Sequence, residues 1–278
     1  MRREGNLRPT PRGLGVIRIL QLSDPHLLAD PRGRCRGRPA LPCLGHGWRE
    51  ALRQRRQRPD LLLISGDLCQ DESLGGYVRL REWLEQAVLP LGVAVALLPG
   101  NHDHPALLRC ALGRCAVLAP ALLPLAGWDL LLLDSHRPGA VEGWLEPSQW
   151  AWLDRQLAAT GPPLLVALHH PPLAIGSPEL DVIGLRQGPA LLEQLLASPR
   201  VRGLVCGHVH QHWHGLLPRP GGGDPLPLWS CPSTLASFPA VQPCPLGRAD
   251  DPGGRWLQLG AAGEITTELL RWRPAPAA

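Results

Sequence analysis

The strongest constraint on this chain is a pattern that recurs along most of its length. A short apolar run is followed at once by a cluster of Asp, His, Asn or Gly residues. Apolar runs of about four to seven residues with Gly or Pro at their ends are typical of strands buried in a sheet. The pattern predicts buried strands over residues 16–22, 61–65, 93–98, 130–133, 164–168 and 201–206.

Helical patterns lie between several of these runs, and strands that alternate with helices indicate an α/β domain with a largely parallel sheet. The predicted helices cover residues 48–58, 74–89, 147–159 and 189–197. After Trp213 the runs become shorter, which predicts antiparallel strands that end with residues 256–259 and 265–272. We expect residues 1–14 to form a flexible N-terminal tail and residues 15–273 to form a single domain.

The composition favours a folded globular protein. With 44% hydrophobic and 19% charged residues, the chain of 278 residues has enough apolar area to fold. Its 28 basic residues are all arginines spread along the chain, and the net charge is only +4, so we expect no nucleic-acid partner. No apolar run approaches the roughly 18 residues of a membrane span. The eight cysteines contain no Cys-x-x-Cys pair, and we expect a cytoplasmic protein with reduced thiols and no membrane partner.

The polar clusters supply the oxygen and imidazole donors that hydrolytic metal sites use. In α/β sheets, ligands gather where the strands end. A separation of two residues places Asp24 beside His26, and His208 beside His210, on one face of an extended chain. Each cluster alone is more often a turn. Together they indicate a metal site whose candidates are Asp24, His26, Asp67, Asn101, His102, His169, His208 and His210.

In sequence order the clusters read Asp24-x-His26, Gly66-Asp67, Gly100-Asn101-His102-Asp103, His169 and Gly207-His208-x-His210. This set resembles the motifs of the calcineurin-like metallophosphoesterases. The resemblance implies an α/β fold, a four-layer αββα sandwich of two facing mixed sheets flanked by helices, with two metal ions above the strand ends. It implies that one ion is held by Asp24, His26, Asp67 and His210, and the other by Asp67, Asn101, His169 and His208. Mixed nitrogen and oxygen donors suit Fe or Mn, and Zn is a third option.

The same resemblance predicts how the chain treats a phosphate ester. A hydroxide that bridges two metal ions would attack phosphorus in line with the leaving oxygen. His102 follows Asn101 and is the candidate acid for that oxygen, while Asp103 either fixes the tautomer of His102 or caps the loop. The predicted substrate contacts are His26, Asp67, Asn101, His102 and His210.

Three further histidines leave alternatives open. Neighbouring side chains of an extended chain point in opposite directions, so only one of His169 and His170 faces the metal ions. His169 matches the first His of the family's His-x-Pro element. His212 and His214 continue the spacing of the last motif, and we expect supporting or surface roles for them rather than a second metal site.

Stretches outside the ligands resemble the bacterial class III 3′,5′-cyclic-AMP phosphodiesterases within that family. They are residues 66–71 with Tyr77, residues 132–135, residues 232–234 with Phe238, and residues 254–257 with the strand around 266–268. The resemblance implies hydrolysis of cyclic AMP to 5′-AMP and allows a homodimer. Two alternatives stay open: a phosphodiesterase for glycerophosphodiesters or 2′,3′-cyclic nucleotides, and a non-catalytic scaffold that metal ions stabilise.

Overall fold

The structure of this chain is a computed structural model that describes residues 15–275, so the tail predicted at residues 1–14 lies outside the described residues. In chain order the strands are β1 (Val16–Leu22), β2 (Arg34–Cys35), β3 (Arg38–Pro39), β4 (Leu61–Ser65), β5 (Ala94–Leu98), β6 (Val117–Leu118), β7 (Ala121–Leu125), β8 (Trp128–Leu132), β9 (Leu164–Ala167), β10 (Val201–Cys206), β11 (Trp213–Leu217), β12 (Leu226–Ser230), β13 (Gly253–Gly260) and β14 (Ile265–Arg271). The helices are α1 (Ala40–Arg55), α2 (Leu74–Ala87), α3 (Pro105–Leu112), α4 (Pro147–Ala158), α5 (Pro178–Asp181) and α6 (Gly188–Ala197). No helix within residues 15–275 combines the length and the apolar character that a membrane crossing needs.

Two six-stranded sheets carry the polar clusters. One has the strand order β14-β13-β1-β4-β5-β6 and the other β11-β12-β10-β9-β8-β7. In the first sheet β1, β4, β5 and β6 run parallel, and in the second β8, β9, β10 and β12 do so. The remaining strands β7, β11, β13 and β14 are antiparallel to their neighbours. Both sheets are therefore mixed.

Three layers of buried side chains separate the sheets and the helices. Between the sheets, Ile19 and Leu63 of the first share an apolar core with Leu130 and Leu165 of the second. Alternate residues of the first sheet, such as Leu62, face α1, α2 and α3, while α4 and α6 cover the outer face of the second sheet. Strands that are buried on both faces explain the unbroken apolar runs in the sequence. The four-layer αββα sandwich is confirmed.

The first helix differs most from its predicted bounds. It begins at Ala40 rather than at residue 48, and it ends at Arg55 rather than at residue 58. Gly45 and Gly47 lie in the part that was missed, where they lower helix propensity and interrupt the apolar periodicity. A Cβ at Gly47 would overlap the ring of Trp272. Close packing of the helix on that ring thus outweighs the propensity.

The parallel strands end at one edge of the sandwich. In the first sheet β1, β4 and β5 end side by side, as β9 and β10 do in the second. Gln21 joins the two sheets at this edge, because its amide donates to Ser65 Oγ at 2.9 Å and to the Cys206 carbonyl at 3.0 Å. The loops that follow these strands therefore converge.

Candidate metal centre

Four buried donors form the first half of the site, after β1, β4 and β10. The ligand atoms of Asp24, His26, Asp67 and His210 all lie within 4.8 Å of one another. His26 Nε2 is 3.1 Å from His210 Nε2 and 3.7 Å from Asp67 Oδ2. His210 Nε2 is 3.3 Å from Asp24 Oδ1. The resemblance assigns these same four residues to one metal ion.

Three further donors form the second half, after β5, β9 and β10. Asn101 Oδ1 is 3.0 Å from His208 Nδ1 and 3.3 Å from His169 Nε2, and the two ring nitrogens are 3.3 Å apart. Asp67 joins the halves, because its Oδ1 is 3.5 Å from His169 Nε2 while its Oδ2 faces His26. The structure thus brings all seven predicted ligands together, with Asp67 in the middle.

The ring nitrogens of two histidines are oriented by backbone carbonyls. His169 Nδ1 donates to the Ser65 carbonyl at 2.8 Å and His210 Nδ1 donates to the Ala236 carbonyl at 3.1 Å, so each ring keeps its Nε2 lone pair for the site. Burial, followed by the charge of His169, holds the pKa of His208 well below 6.5. Neutral imidazole is the form that binds metal ions.

The two carboxylates of the site, Asp24 and Asp67, repel each other when both are ionised, and a bound cation would relieve that repulsion. Asp24 Oδ2 is buried and has no hydrogen-bond partner among residues 15–275. Burial, followed by the charge of Asp24, raises the pKa of Asp67 well above its usual range, because two carboxylates this close resist ionising together. Carboxylate and imidazole lone pairs that converge in this way are satisfied together by positive ions. The residues present therefore fit metal ions.

Five of the seven predicted ligands have a left-handed backbone. Their φ angles are 51° for Asp24, 47° for His26, 48° for Asp67, 68° for His208 and 51° for His210. This conformation costs about 1 kcal/mol or more for a residue with a Cβ. Such strain is kept where the surrounding structure enforces it, and it is concentrated at functional sites. Here it turns the chain sharply after each strand, so that the side chains converge.

Glycines in two motifs allow the ligands to approach one another. A Cβ at Gly66, where φ is 102°, would overlap the ring of His169. A Cβ at Gly100 would overlap both the carboxylate and the backbone nitrogen of Asp67. A side chain at either position would displace a ligand, which explains the glycines of the Gly-Asp and Gly-Asn-His motifs.

His102 borders the site and is oriented by Gln70. The Gln70 amide donates to His102 Nδ1 at 3.3 Å, while its Oε1 accepts from the Cys35 thiol at 3.5 Å. The bond at Nδ1 leaves the proton of the neutral ring on Nε2. Burial, followed by the charge of His169, lowers the pKa of His102, so the ring offers an N–H donor. Sequence reasoning assigned no role to Gln70, although it lies within the 66–71 stretch.

The Asp103 carboxylate makes no hydrogen bond with the His102 ring within residues 15–275, which favours the second of its two predicted roles. Its oxygens accept four hydrogen bonds of 2.8–3.0 Å, from the backbone N–H groups of Gly100, Leu68 and Cys69 and from the hydroxyl of Tyr77. The carboxylate is thereby satisfied without His102. It ties the loop after β4 to the loop after β5, which is the capping alternative.

His170 lies near the site, but both of its ring nitrogens are already in hydrogen bonds. Its ligand atom is within 4.8 Å of those of His169 and His208. One nitrogen is 2.8 Å from Ser135 Oγ and the other is 3.0 Å from the Val141 carbonyl. His169 is therefore the member of the pair that has a free lone pair toward Asp67.

His212 and His214 have other partners. His212 Nδ1 accepts from the Arg255 guanidinium at 3.0 Å. His214 stacks on Trp229, with ring centroids 5.7 Å apart. Neither histidine belongs to a metal-ligating group found among residues 15–275.

An open cavity of about 480 Å³ begins at Asn101 and His102. Its apolar wall is formed by Pro105, Pro138, Ala140 and Val141, and its polar groups come from Glu72, His104 and His136. Concave sites of this size, with an apolar wall and a few polar groups, bind small molecules. Asn101 lines this cavity and is also a predicted metal ligand, so the cavity adjoins the proposed metal centre.

Comparison with known proteins agrees with this geometry. A sequence model described as calcineurin-like phosphoesterase matches residues 17–212. The chain is 46% identical over 262 residues to a probable cyclic nucleotide phosphodiesterase of Synechococcus sp. (strain WH7803), covering 92% of this chain and 96% of that protein. It is 35% identical over 268 residues to the 3′,5′-cyclic adenosine monophosphate phosphodiesterase CpdA of Escherichia coli (strain K12), covering 93% and 91%.

Solved structures share the fold. A dimetal phosphatase from Danio rerio superposes with a TM-score of 0.61 at 16% identity, over 91% of this chain and 99% of that chain. A purple acid phosphatase from yellow lupin superposes with a TM-score of 0.57 at 15% identity, over 96% of this chain and 55% of that chain. At these identities the likeness concerns the fold alone. With the motifs, the sandwich and the sequence matches in agreement, the chain belongs to the calcineurin-like phosphoesterase family.

Proposed function

We propose that this chain is a dinuclear-metal phosphodiesterase that hydrolyses 3′,5′-cyclic AMP to 5′-AMP. The observation that carries the proposal is the position of Asp67, whose two oxygens face separate imidazole groups, 3.7 Å from His26 and 3.5 Å from His169. A carboxylate in this position suits a bridge between two ions. The relatives named as cyclic nucleotide phosphodiesterases, at 46% and 35% identity, support the substrate class.

The metal ligands divide into two sets that share Asp67. One ion would be held by Asp24, His26, Asp67 and His210, and the other by Asp67, Asn101, His169 and His208. Two ions held here supply a nucleophile from water at neutral pH and neutralise phosphate charge. Fe or Mn is the expected occupant, and Zn is a third option, because mixed nitrogen and oxygen donors suit all three.

The protein's own part in the reaction is to orient the diester and to deliver a proton. Hydrolysis forms a bond from a water oxygen to phosphorus and breaks the bond from phosphorus to the 3′ oxygen, which takes up a proton. His102 supplies that proton from Nε2, where the hydrogen bond from Gln70 holds it. Asp103 acts only through the loops that it ties together. The substrate contacts we propose are His26, Asp67, Asn101, His102 and His210.

The cavity beside His102 is the proposed place of the nucleoside. Its apolar wall, which includes Pro138 and Val141, offers a surface for a purine. Glu72 and His136 lie in the same cavity and offer hydrogen-bonding groups to the polar edge of the base. We propose that the 3′ oxygen of the ribose lies on the side of His102.

A substrate panel tests the proposal with protein loaded with Mn or Fe. We expect turnover of 3′,5′-cyclic AMP to 5′-AMP, measured by chromatography, and complete loss of turnover with EDTA. His208→Gln should abolish turnover, whereas the matched variant His214→Gln, at a histidine outside the centre, should keep it. Fast turnover of glycerophosphocholine or 2′,3′-cyclic AMP, with none of 3′,5′-cyclic AMP, would contradict the substrate. A protein that is equally stable and inactive with and without metal would contradict catalysis.

A further inference from the structure

Arg36 lies beside the proposed metal centre with an uncommitted charge. Its guanidinium carbon is 4.4 Å from the centre of the Phe238 ring. Phe238 in turn stacks on His210, with ring centroids 4.5 Å apart and ring planes 15° apart. Within residues 15–275 the exposed guanidinium makes neither a hydrogen bond nor an ion pair. The contact with the ring orients the cation without neutralising it.

The backbone holds Arg36 in a fixed direction. It is the first residue of the two-residue loop of the β2–β3 hairpin, in which Cys35 pairs with Arg38. Arg36 and Gly37 have φ angles of 50° and 73°, as in the hairpin turns that require two left-handed residues. The Cys35 thiol donates to Gln70 at 3.5 Å. The hairpin is therefore fastened to the residue that orients His102.

The charge of Arg36 reaches the groups around the proposed substrate. Arg36 lies next to these groups, because the Phe238 ring under its guanidinium stacks on His210, and His210 Nε2 is 3.1 Å from His26 Nε2. The rings of His26 and His102 are 5.2 Å apart. The chain contains no lysine, so the only cationic side chains that the protein can offer an anion here are arginine and protonated histidine.

We propose that Arg36 is a substrate-binding residue whose guanidinium binds the anionic phosphate of the phosphodiester, and the phosphate of the 5′-phosphate product, at the face of the centre formed by His26 and His102. The inference rests on the proposed function, because it takes the phosphodiester as the ligand. A guanidinium presents N–H donors in a planar fork that matches two oxygens of a phosphate. The stack on Phe238 presents this fork before the substrate arrives.

Arg36→Gln tests the inference against Arg32→Gln, which removes the same charge from an exposed position just before the β2–β3 hairpin. We expect Arg36→Gln to raise the KM for 3′,5′-cyclic AMP about 10- to 100-fold, as for loss of a charged hydrogen bond, and to change kcat far less. Inhibition by 5′-AMP should weaken by the same factor, whereas inhibition by adenosine, which lacks the phosphate, should not change. Metal content should equal that of the wild type. Arg36→Lys keeps the charge but lacks the planar fork, so its KM for 3′,5′-cyclic AMP should lie between that of the wild type and that of Arg36→Gln.

Three results would overturn the inference. A KM of Arg36→Gln equal to that of Arg32→Gln would show that the Arg36 guanidinium is solvated and does not bind the phosphate. Equal weakening of adenosine and 5′-AMP would place Arg36 on the nucleoside, and loss of metal would show that it acts through Phe238 on His210. If the wild type hydrolyses no cyclic AMP, the proposed function fails by itself. The role of Arg36 is then decided with bis(4-nitrophenyl) phosphate as substrate and inorganic phosphate as inhibitor, where the same 10- to 100-fold changes are expected.

Discussion

Replacing Gln70 by glutamate would reverse the hydrogen bond that sets the position of the proton on His102. The Gln70 amide donates to His102 Nδ1 at 3.3 Å, so the ring proton lies on Nε2. A carboxylate in the same place only accepts, so it favours the proton on Nδ1 and leaves Nε2 as a lone pair. The side chains are nearly isosteric. The substitution therefore changes the tautomer while the packing around His102 is kept.

The size of the effect follows from the strength of that bond. A hydrogen bond to a charged group contributes about 1.5–3 kcal/mol when buried, and the contact here is only partly buried, so about half of this applies. About 1.4 kcal/mol corresponds to a tenfold smaller fraction of the competent tautomer. We expect kcat for Gln70→Glu to fall about tenfold near pH 8, which is less than the 10²- to 10⁴-fold that a general acid contributes in all.

The dependence of kcat on pH tests this reasoning about the Gln70→Glu variant more sharply than kcat at one pH. Burial, followed by the charge of His169, holds the pKa of His102 below 6.5, and the new carboxylate of Gln70→Glu raises it. Below the raised pKa both ring nitrogens are protonated, so the donor at Nε2 returns and the deficit in kcat should shrink as the pH falls.

The measurement is kcat from about pH 5 to about pH 8, across the range in which histidines titrate. Gln86→Glu, at an exposed position of α2, is the control with the same charge change. Wild-type kcat at every pH, or a deficit that grows toward low pH, would refute the reasoning.

The other predictions concern metal retention and stability. Gly100→Ala should lower bound metal, measured by elemental analysis, and reduce kcat about 100-fold, because the new Cβ would displace Asp67; full metal content would contradict this. Asn101→Ala should lose activity by about 10- to 100-fold or more with an unchanged circular dichroism spectrum, and an unfolded variant would argue for a structural role instead. His212 accepts from Arg255, and burial followed by the Arg255 charge lowers the pKa of His212 to about 4. Unfolding returns that ring to its ordinary value of 6.5, so its contribution to stability is complete above that pH and is lost as the pH falls toward about 4. His212→Gln should therefore make the free energy of unfolding, measured by denaturant titration, fall less steeply between about pH 6.5 and about pH 4. A free energy that falls with pH as steeply as in the wild type would count against this role of His212.

The central strands and the ligands could be predicted because both signals are local. β1, β4 and β10 have the predicted bounds, since an apolar run that is buried on both faces stands out in the sequence. The ligand candidates follow directly after such runs, where parallel strands end together. α3 was missed although Pro105 marks its first turn, because eight residues are too few to show a helical period.

The role of Gln70 could not be predicted, and the choice between the two predicted roles of Asp103 could not be made, because both depend on which loops lie opposite each other. Asp103 is next to His102 in sequence, yet its carboxylate turns to the loop after β4. Gln70 is 32 positions away from His102 and contacts it. The left-handed backbone of residues such as Asp24 also has no sequence pattern, since the surrounding packing imposes it.

The place of β13 in the first sheet has a consequence for how the protein is made. A ribosome delivers β1, β4 and β5 early, but β1 keeps an open edge until β13 arrives and pairs Val16 with Gly260. Pairings between such distant residues form slowly, and an open edge invites association with other nascent chains. The loop that carries Asp24 and His26 follows this late-sealed strand. A nascent chain that stops short of β13 would thus contain every proposed ligand and still lack the support for the first two, so metal uptake should mark the last stage of biogenesis.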